Sequence, residues 1–351
     1  MKEYISLDSH KCYSIVEREN CASREAVQCR IGHSRGSIRE YLGKCEPGTP
    51  VAVEAVGNWY WIVQEIEDAK QVPQLVHPRK AKLMMGMINK TDKLDVHGLN
   101  RLQRNGTLPT VWIAPGELRD LRELTRTRIT VARQRTRLKN RISSTFSKYG
   151  LTVEEYSDMY GKKAREELNK LLEQLPPQTK YVTEALLQQL DFVEQQIEGM
   201  EKRLQELVKI TPAIQLLMTM PGVGFILATA IAWEIGEISR FACAPRLAAY
   251  AGTTPRVHAS GGKIRYGQMR SDVNHYLKWA FAEAGNSVAL HAKRSPMRHV
   301  SQLYQRIRDR KGHAKAVGAV SRHLAEATFY ILSKQESYED PALKRSSSRE
   351  V

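Results

Sequence analysis

Two long stretches of this chain can only be helix, and they divide the rest. Residues 116–148 contain no internal glycine or proline, and residues 179–209 carry Leu186, Leu190, Val193, Ile197, Met200, Leu204 and Leu207 at spacings of four and three. A four–three repeat over three heptads keeps one apolar seam on one side of a helix and predicts a coiled coil; the alternative, a helix packed in a globular core, needs a period of 3.6 and a wider stripe. Pro176-Pro177 marks the start of that helix, since proline is tolerated in a first turn and not in a helix interior. The earlier, strongly basic stretch has its own seam, Leu121, Leu124, Val131, Leu138 and Ile142, with Arg128 and Arg135 in two of the slots. The partner of the 186–207 seam is either that stretch or a second copy of the chain. The expected organisation is an N-terminal domain over 1–112, a helical coiled-coil region over 113–210, a mostly α C-terminal domain over 211–334 and a disordered tail over 335–351.

The N-terminal domain reads as α/β. Short runs at Ile5–Leu7, Cys12–Val16 and Ala26–Ile31, joined by polar turns, predict antiparallel strands. A helix over Ser37–Leu42, a strand over Val51–Ala55, a helix burying Trp61, Ile62, Ile66 and Ala69, and a strand over Val72–Val76 follow, with Pro78 opening the next helix. Three strands followed by strand–helix–strand match the mixed sheet of an RNase H-like fold. The adjacent Trp59, Tyr60 and Trp61 point different ways on a helix, which predicts packing rather than one stacking platform.

Four carboxylates stand out within this pattern. Asp8 ends the first strand, Glu54 ends the fourth, and Asp92 and Asp95 lie three apart at the start of a helix whose N-cap is Thr91. Carboxylates at strand ends, together with a pair one helical step apart, can converge on one or two divalent cations, Mg²⁺ or Mn²⁺. Such ions clamp the attacking and leaving oxygens of a phosphodiester. Taken singly, each acid has a plainer reading as a turn residue, a surface acid or a partner of a helix dipole. Taken together, they would repel one another without a metal.

The C-terminal domain opens at Pro221-Gly222-Val223-Gly224 and continues into helices over Phe225–Ile235, 244–251, 274–290 and Ala314–Leu332. The amides of Gly222 and Gly224, beside a helix N-terminus, can take a DNA phosphate; a simple helix cap explains them equally well. Between two of the helices the loop Gly252–Gly267 holds Arg256, Ser260, Gly261, Gly262, Lys263 and Arg265. A serine followed by two glycines lets backbone approach a phosphate closely, and the three cations favour alkoxide character at Ser260. That pattern fits a nucleophile or a phosphate-contacting loop with no covalent role. A basic set, Lys293, Arg294, Arg298, Arg306, Arg308, Arg310, Lys311 and Lys315, fits backbone phosphates or an ordinary solvated face.

Charge narrows the function classes. Lys and Arg number 54 against 38 Asp and Glu, a net +16, which calls for a polyanionic partner. The five cysteines form no CxxC pair and the ten histidines show no zinc spacing, so the chain reads as a reduced cytosolic protein without a disulfide framework. No apolar run approaches the roughly 20 residues of a membrane span, and Met1-Lys2-Glu3-Tyr4 reads straight into a strand rather than a targeting segment.

These motifs carry a resemblance. Leu7-Asp8-Ser9-His10-Lys11, Val53-Glu54-Ala55 and Asn89–Val96, followed by Met220–Gly224, Glu234–Phe241, Leu247–Gly252, Ser260–Lys263 and Arg310–Ala316, resemble in order the DEDD transposases of bacterial insertion sequences. The resemblance spans roughly residues 3–333. Members of that family pair a RuvC-like N-terminal domain with a C-terminal transposase domain containing a catalytic serine. The resemblance implies that Asp8, Glu54, Asp92 and Asp95 bind Mg²⁺ and that Ser260 attacks a DNA phosphodiester to form a phosphoserine link, later reversed by a free 3′ hydroxyl. From their charge and loop chemistry, Arg256, Lys263, Arg265, Gly222, Gly224, Lys278, Arg310, Lys311 and Lys315 are the expected nucleic-acid contacts. The partners the resemblance implies are target and donor DNA, a structured bridge RNA that guides the enzyme, and further copies of the chain, as dimers pairing into tetramers. The implied location is the bacterial cytoplasm, at the nucleoid. Two positions depart from the family pattern of Gly-Asn and Leu-Arg, which here read Val273-Asn274 and Leu277-Lys278. Lysine keeps the charge and loses the bidentate fork. Two rival readings remain: a metal-dependent hydrolytic nuclease or junction resolvase that uses water and no serine, and a non-catalytic nucleic-acid-binding descendant.

Overall fold

The computed structural model describes residues 3–86, 91–152, 159–208 and 211–341. The chain forms two compact units, Met1–Ala114 and Pro115–Val351.

The first unit is built on a mixed five-stranded sheet ordered β3-β2-β1-β4-β5. Its strands are β1 (Glu3–Ser9), β2 (Tyr13–Asn20), β3 (Ala26–Gly32), β4 (Pro50–Glu54) and β5 (Val72–Val76). β1 runs antiparallel to β2 and parallel to β4, and β4 runs parallel to β5. Period-two alternation divides the side chains between two faces. Ile5, Leu7, Val51 and Val53 join Ile38 and Leu42 of α1 (Ser37–Leu42) and Ile62 and Ile66 of α2 (Trp59–Asp68) in one core. Ala52 and Val76 face the other way, onto Ala81 and Met85 of α3 (Pro78–Met85) and Leu99 and Leu102 of α4 (Asp92–Arg104). Trp59 and Trp61 pack against the first core, as their helical positions predict. Thr91 caps α4 by accepting from the Leu94 amide at 3.3 Å. Residues 87–90, which include the first two of the Asn89–Val96 motif, lie outside the described residues.

The second unit is helical apart from one hairpin. α5 (Gly116–Lys148) and α7 (Pro177–Leu207) pair antiparallel, because Lys139 meets Glu194 while Arg128 meets Glu201. So α5 of the same chain covers the α7 seam. The buried stripe differs from the heptad reading by a partial rotation: Leu187, not Leu186, is fully buried, and Leu207 is 42% exposed. The reason is α6 (Lys162–Leu172), which the sequence reading missed. Its Leu168, Leu171 and Leu172 pack with Ile142, Phe146, Leu187 and Leu190, and a third helix needs a wider stripe than a two-helix seam.

The remaining helices are α8 (Pro212–Met218), α9 (Phe225–Ile235), α10 (Ala244–Tyr250), α11 (His275–His291), α12 (His299–Lys311) and α13 (His313–Lys334), around one large core. The segment expected as a loop at 252–267 contains an antiparallel hairpin, β6 (Pro255–Ser260) and β7 (Lys263–Met269). Past α13, residues 335–341 do not leave the domain: Tyr338 packs against the core, and its amide donates to Thr219 Oγ1 at 2.8 Å. The rest of the expected disordered tail, 342–351, lies outside the described residues.

Candidate functional site

The sheet and α4 run antiparallel and in step. The Asn100 amide donates to the Tyr4 carbonyl at 3.4 Å, and the Ser6 hydroxyl donates to the Val96 carbonyl at 2.9 Å. Two strand residues advance about 6.7 Å and four helix residues about 6 Å, so one further step along this register brings Asp92 to Asp8. Glu54 reaches the same sheet edge by another route: Leu7 pairs with Val53 in parallel, so Asp8 and Glu54 follow one another off adjacent strands.

A residue absent from the predicted set connects the two aspartates. His10 Nε2 lies 3.3 Å from Asp8 Oδ2 and 3.1 Å from Asp92 Oδ2. The ligand atoms of Asp8, His10 and Asp92 all fall within 4.8 Å of one another, whereas Glu54 and Asp95 stand outside that cluster. The turn carrying His10 is pinned: Asn58 Nδ2 donates to the His10 carbonyl at 2.8 Å, and Ser9 Oγ donates to Asn58 Oδ1 at 3.2 Å. Tyr13 stacks on the imidazole with centroids 4.6 Å apart and donates its hydroxyl to Asp92 Oδ2 at 3.2 Å. Desolvation, then the bond to Asp92, raises the Tyr13 pKa, which keeps the phenol a donor. Although close to both carboxylates, the buried His10 Nε2 makes no well-directed hydrogen bond. Two carboxylate oxygens and one imidazole nitrogen converging without satisfying each other suit a divalent cation. This donor set fits a divalent cation without selecting Mg²⁺, which prefers an all-oxygen shell.

Ser260 is placed quite differently. It pairs with Lys263 across a two-residue turn in which Gly261 and Gly262 have φ of 55° and 74°. Two left-handed residues in sequence make the tight turn that matches strand twist, and glycine adopts them without strain. Pairing of Val257 with Tyr266 and Ala259 with Ile264 makes one face of the hairpin apolar. His258, Ser260, Lys263 and Arg265 form the other, cationic face. Arg256 and every residue from there to Met269 are exposed.

The base of the hairpin is rigid where its tip is open. Asn274 caps α11 by accepting from Tyr276 and Leu277 at 3.0 Å, and its amide donates to Glu234 Oε2 at 2.8 Å. Glu234 is 1% exposed and takes Arg126 bidentately at 2.6 and 2.9 Å. Arg122 donates to the carbonyls of Trp233 and Glu234, and burial pushes its pKa down against the pull of Glu234. Val273 fills the space above Gly252, where an added Cβ would stand 2.6 Å from its Cγ2.

Comparison with known proteins matches both regions to one family. A DEDD transposase model of the IS110 group covers residues 7–150, and a model described as "Transposase IS116/IS110/IS902 family" covers residues 214–302. The chain is 24% identical to a "Probable family 20 transposase" of Pseudomonas aeruginosa, over 90% of this chain and 92% of that protein. It is 26% identical to the transposase for insertion sequence element IS1111A of Coxiella burnetii, over 76% and 72%. This chain belongs to the IS110 family of insertion-sequence transposases. No described helix of the transposase is long and apolar enough to cross a membrane. Its remaining predicted contact residues fall into two kinds. Arg310, Lys311 and Lys315 are exposed around the α12–α13 junction, where solvent or phosphate can reach them. Gly222 instead serves packing: with φ of 77° it lies against α11, and an added Cβ would stand 2.4 Å from the Ala284 carbonyl oxygen. Gly224 is the exposed N-cap of α9, and the Lys278 stem packs near Gly252. His10 and the Glu234–Arg126 pair were missed. A histidine two residues after a strand-end aspartate was the only sequence signal for the first, and a lone acid inside an apolar helix for the second.

Proposed function

We propose that this transposase cuts and rejoins DNA through a phosphoserine intermediate, with an RNase H-like domain supplying a divalent-metal site and a structured bridge RNA choosing the DNA. The observation that carries the reading is the convergence of Asp8, His10 and Asp92 at the edge of a mixed sheet, in a chain whose other family-matched region presents Ser260 on an exposed cationic hairpin.

Asp8, Glu54, Asp92 and Asp95 would hold the metal, Mg²⁺ or Mn²⁺, with His10 as a further donor; Glu54 and Asp95 would have to close onto the Asp8–His10–Asp92 cluster that they stand outside. When bound, the cation neutralises phosphate charge and polarises the scissile P–O bond. The protein's own part is positional. Thr91 and the α4 register fix Asp92, and Asn58 and Tyr13 fix His10. Lys263 and Arg265, on the same hairpin face as Ser260, hold the phosphate and stabilise the alkoxide. Ser260 Oγ bonds to phosphorus, the bond from phosphorus to the 3′ oxygen breaks, and the proton lost by serine balances the one gained by the leaving oxygen. Attack by another 3′ hydroxyl reverses the step and joins a new strand. Because the link conserves the phosphodiester's energy, no nucleotide cofactor is needed. Arg256, Lys278, Arg310, Lys311 and Lys315 contact nucleic-acid backbone, while base pairing to the guide reads sequence. Copies of the chain assemble as dimers and tetramers.

The test is to trap end-labelled element DNA on the protein under denaturing conditions, with Mg²⁺ and the transcript of the element's non-coding flank. The expected result is a labelled adduct that depends on RNA and on Ser260. Cleavage with no adduct, unchanged in Ser260→Ala, would move the chain to the hydrolytic nuclease reading.

A further inference from the structure

We infer that a pocket between α5, α9 and α11 binds one unpaired nucleotide of a single-stranded or bulged nucleic acid. The site rests on the nucleic-acid reading above and lies in the helical unit, apart from the serine hairpin. The pocket has a volume of about 390 Å³, within the range of small-ligand sites.

Its construction is specific. On α5, Arg128, Ala132 and Arg135 follow at i, i+4 and i+7, and Arg133 adds a third guanidinium. The small Ala132 leaves the opening between the two long side chains. On α11, Trp279, Glu283 and Ser287 line the opposite wall at i, i+4 and i+8, over the Ile226 and Leu227 side chains of α9. Arg128 is tied to Glu201, so Arg133 and Arg135 carry the charge available to a ligand. The first turn of α9 also borders the pocket, and Gly224 provides it no side-chain cap.

A bare anion would use only the guanidiniums, and none of the apolar surface that Trp279, Ile226 and Leu227, packed against the core on their other side, leave toward the pocket. A nucleotide uses both walls. Its base stacks on Trp279 above Ile226 and Leu227, and its phosphate meets Arg133 and Arg135. A base paired within a helix cannot enter a recess of this kind, so the nucleotide must be out of the stack. Glu283 fixes the orientation: a carboxylate repels phosphate and accepts from an exocyclic amino group. The pocket therefore prefers cytosine to uracil or thymine.

The test measures anisotropy of fluorescein-labelled 12-mers, oligo(C) and oligo(U) as RNA and oligo(dC) and oligo(dT) as DNA, with the full-length protein across a salt series. The double variant Arg133→Ala, Arg135→Ala should weaken binding of every 12-mer at least tenfold and reduce the log–log salt slope by about 1.4, since each single-strand phosphate contact contributes about 0.7. Trp279→Phe should retain most affinity and Trp279→Ala should not. Glu283→Ala should erase the preference for C over U. Unequal RNA and DNA affinities identify which polymer supplies the nucleotide. If the wild type binds the 12-mers and the arginine double variant binds them equally well with the same slope, the pocket is not the site. A 12-base-pair DNA duplex is measured beside them: if the wild type binds the duplex and none of the single strands, the pocket is not a nucleotide site, and if it binds neither, the nucleic-acid reading itself fails.

Discussion

The Asp8–His10–Asp92 cluster, the proposed metal edge, and the Ser260 hairpin are built in opposite ways. Asp8 is 13% exposed, and His10 and Asp92 beside it are held by Asn58, Tyr13 and the α4 register. Ser260 sits at the tip of a two-stranded ribbon whose residues from Arg256 onward are exposed. A cation site needs several donors fixed to within fractions of an ångström, and packed elements provide that. A nucleophile that must reach a phosphate in a large substrate gains from standing clear of its own domain. A lone two-stranded ribbon is only marginally stable in water, so the tip should tolerate substitution without unfolding the protein, and the metal edge should not be indifferent to its ligand.

The largest expected effect is at the tip. Ser260→Ala should abolish the covalent adduct entirely, with the melting temperature unchanged, because an exposed truncation shifts stability by less than about 0.5 kcal/mol. Adduct formation at the wild-type rate would remove the serine from the chemistry. Next comes the metal edge. Asp8→Asn should lower the cleavage rate by on the order of a hundredfold or more. It should also remove the rise in melting temperature that Mg²⁺ or Mn²⁺ gives the wild type, a shift that reaches about 2.7 kcal/mol at one hundred times Kd. A metal-dependent shift that survives in Asp8→Asn would place the cation elsewhere.

The base of the hairpin should behave like the metal edge. Glu234→Ala strands Arg126, removes the 3.9 Å ion pair with Arg122, whose bonds to backbone carbonyls remain, and removes the acceptor of the Asn274 amide. Breaking one side of a buried ion pair costs about 3–5 kcal/mol, which thermal or denaturant unfolding will register. Glu234→Gln keeps the shape and the Asn274 contact and should recover part of that loss. A melting curve for Glu234→Ala within about 1 kcal/mol of the wild type would show that the buried pair does not support the domain.

Legibility in the sequence follows the same divide between local and non-local causes. Asp8, Glu54, Asp92 and Thr91 could be read because strand ends and a helix cap are local patterns. His10 acquires its role only once the β1–α4 register brings Asp92 beside Asp8, and no local pattern encodes that. The hairpin was hidden by composition. Arg256, His258, Lys263 and Arg265 occupy every second position, so a ribbon apolar on one face read as a charged loop, although Gly261-Gly262 is itself a hairpin signal. The seam at 186–207 was legible as helix. Its exact buried face was not, because α6 packs onto it from a separate segment, and the Leu168, Leu171 and Leu172 stripe that announces α6 went unread. Glu234 was read only as the first residue of the Glu234–Phe241 motif, and is the centre of a network spanning α5, α9 and the N-cap of α11.

The smallest effect separates tip from base most cleanly. Gly261 and Gly262 both lie at positive φ with nothing within 4 Å of where a Cβ would stand, so an alanine there meets no clash and only backbone strain. That strain is about 1 kcal/mol per residue, which converts to about a fivefold shift in the population of the tight turn at RT of about 0.59 kcal/mol. If the ribbon opens independently of the domain, the strain is confined to local opening and does not reach global stability. Gly261→Ala should then slow adduct formation by up to about fivefold, leave the melting temperature in place, and raise amide exchange in residues 255–269 alone. A melting temperature lowered in step with the adduct rate would mean that the ribbon and the helical core unfold as one unit, and the contrast between a fixed base and a free tip would be lost.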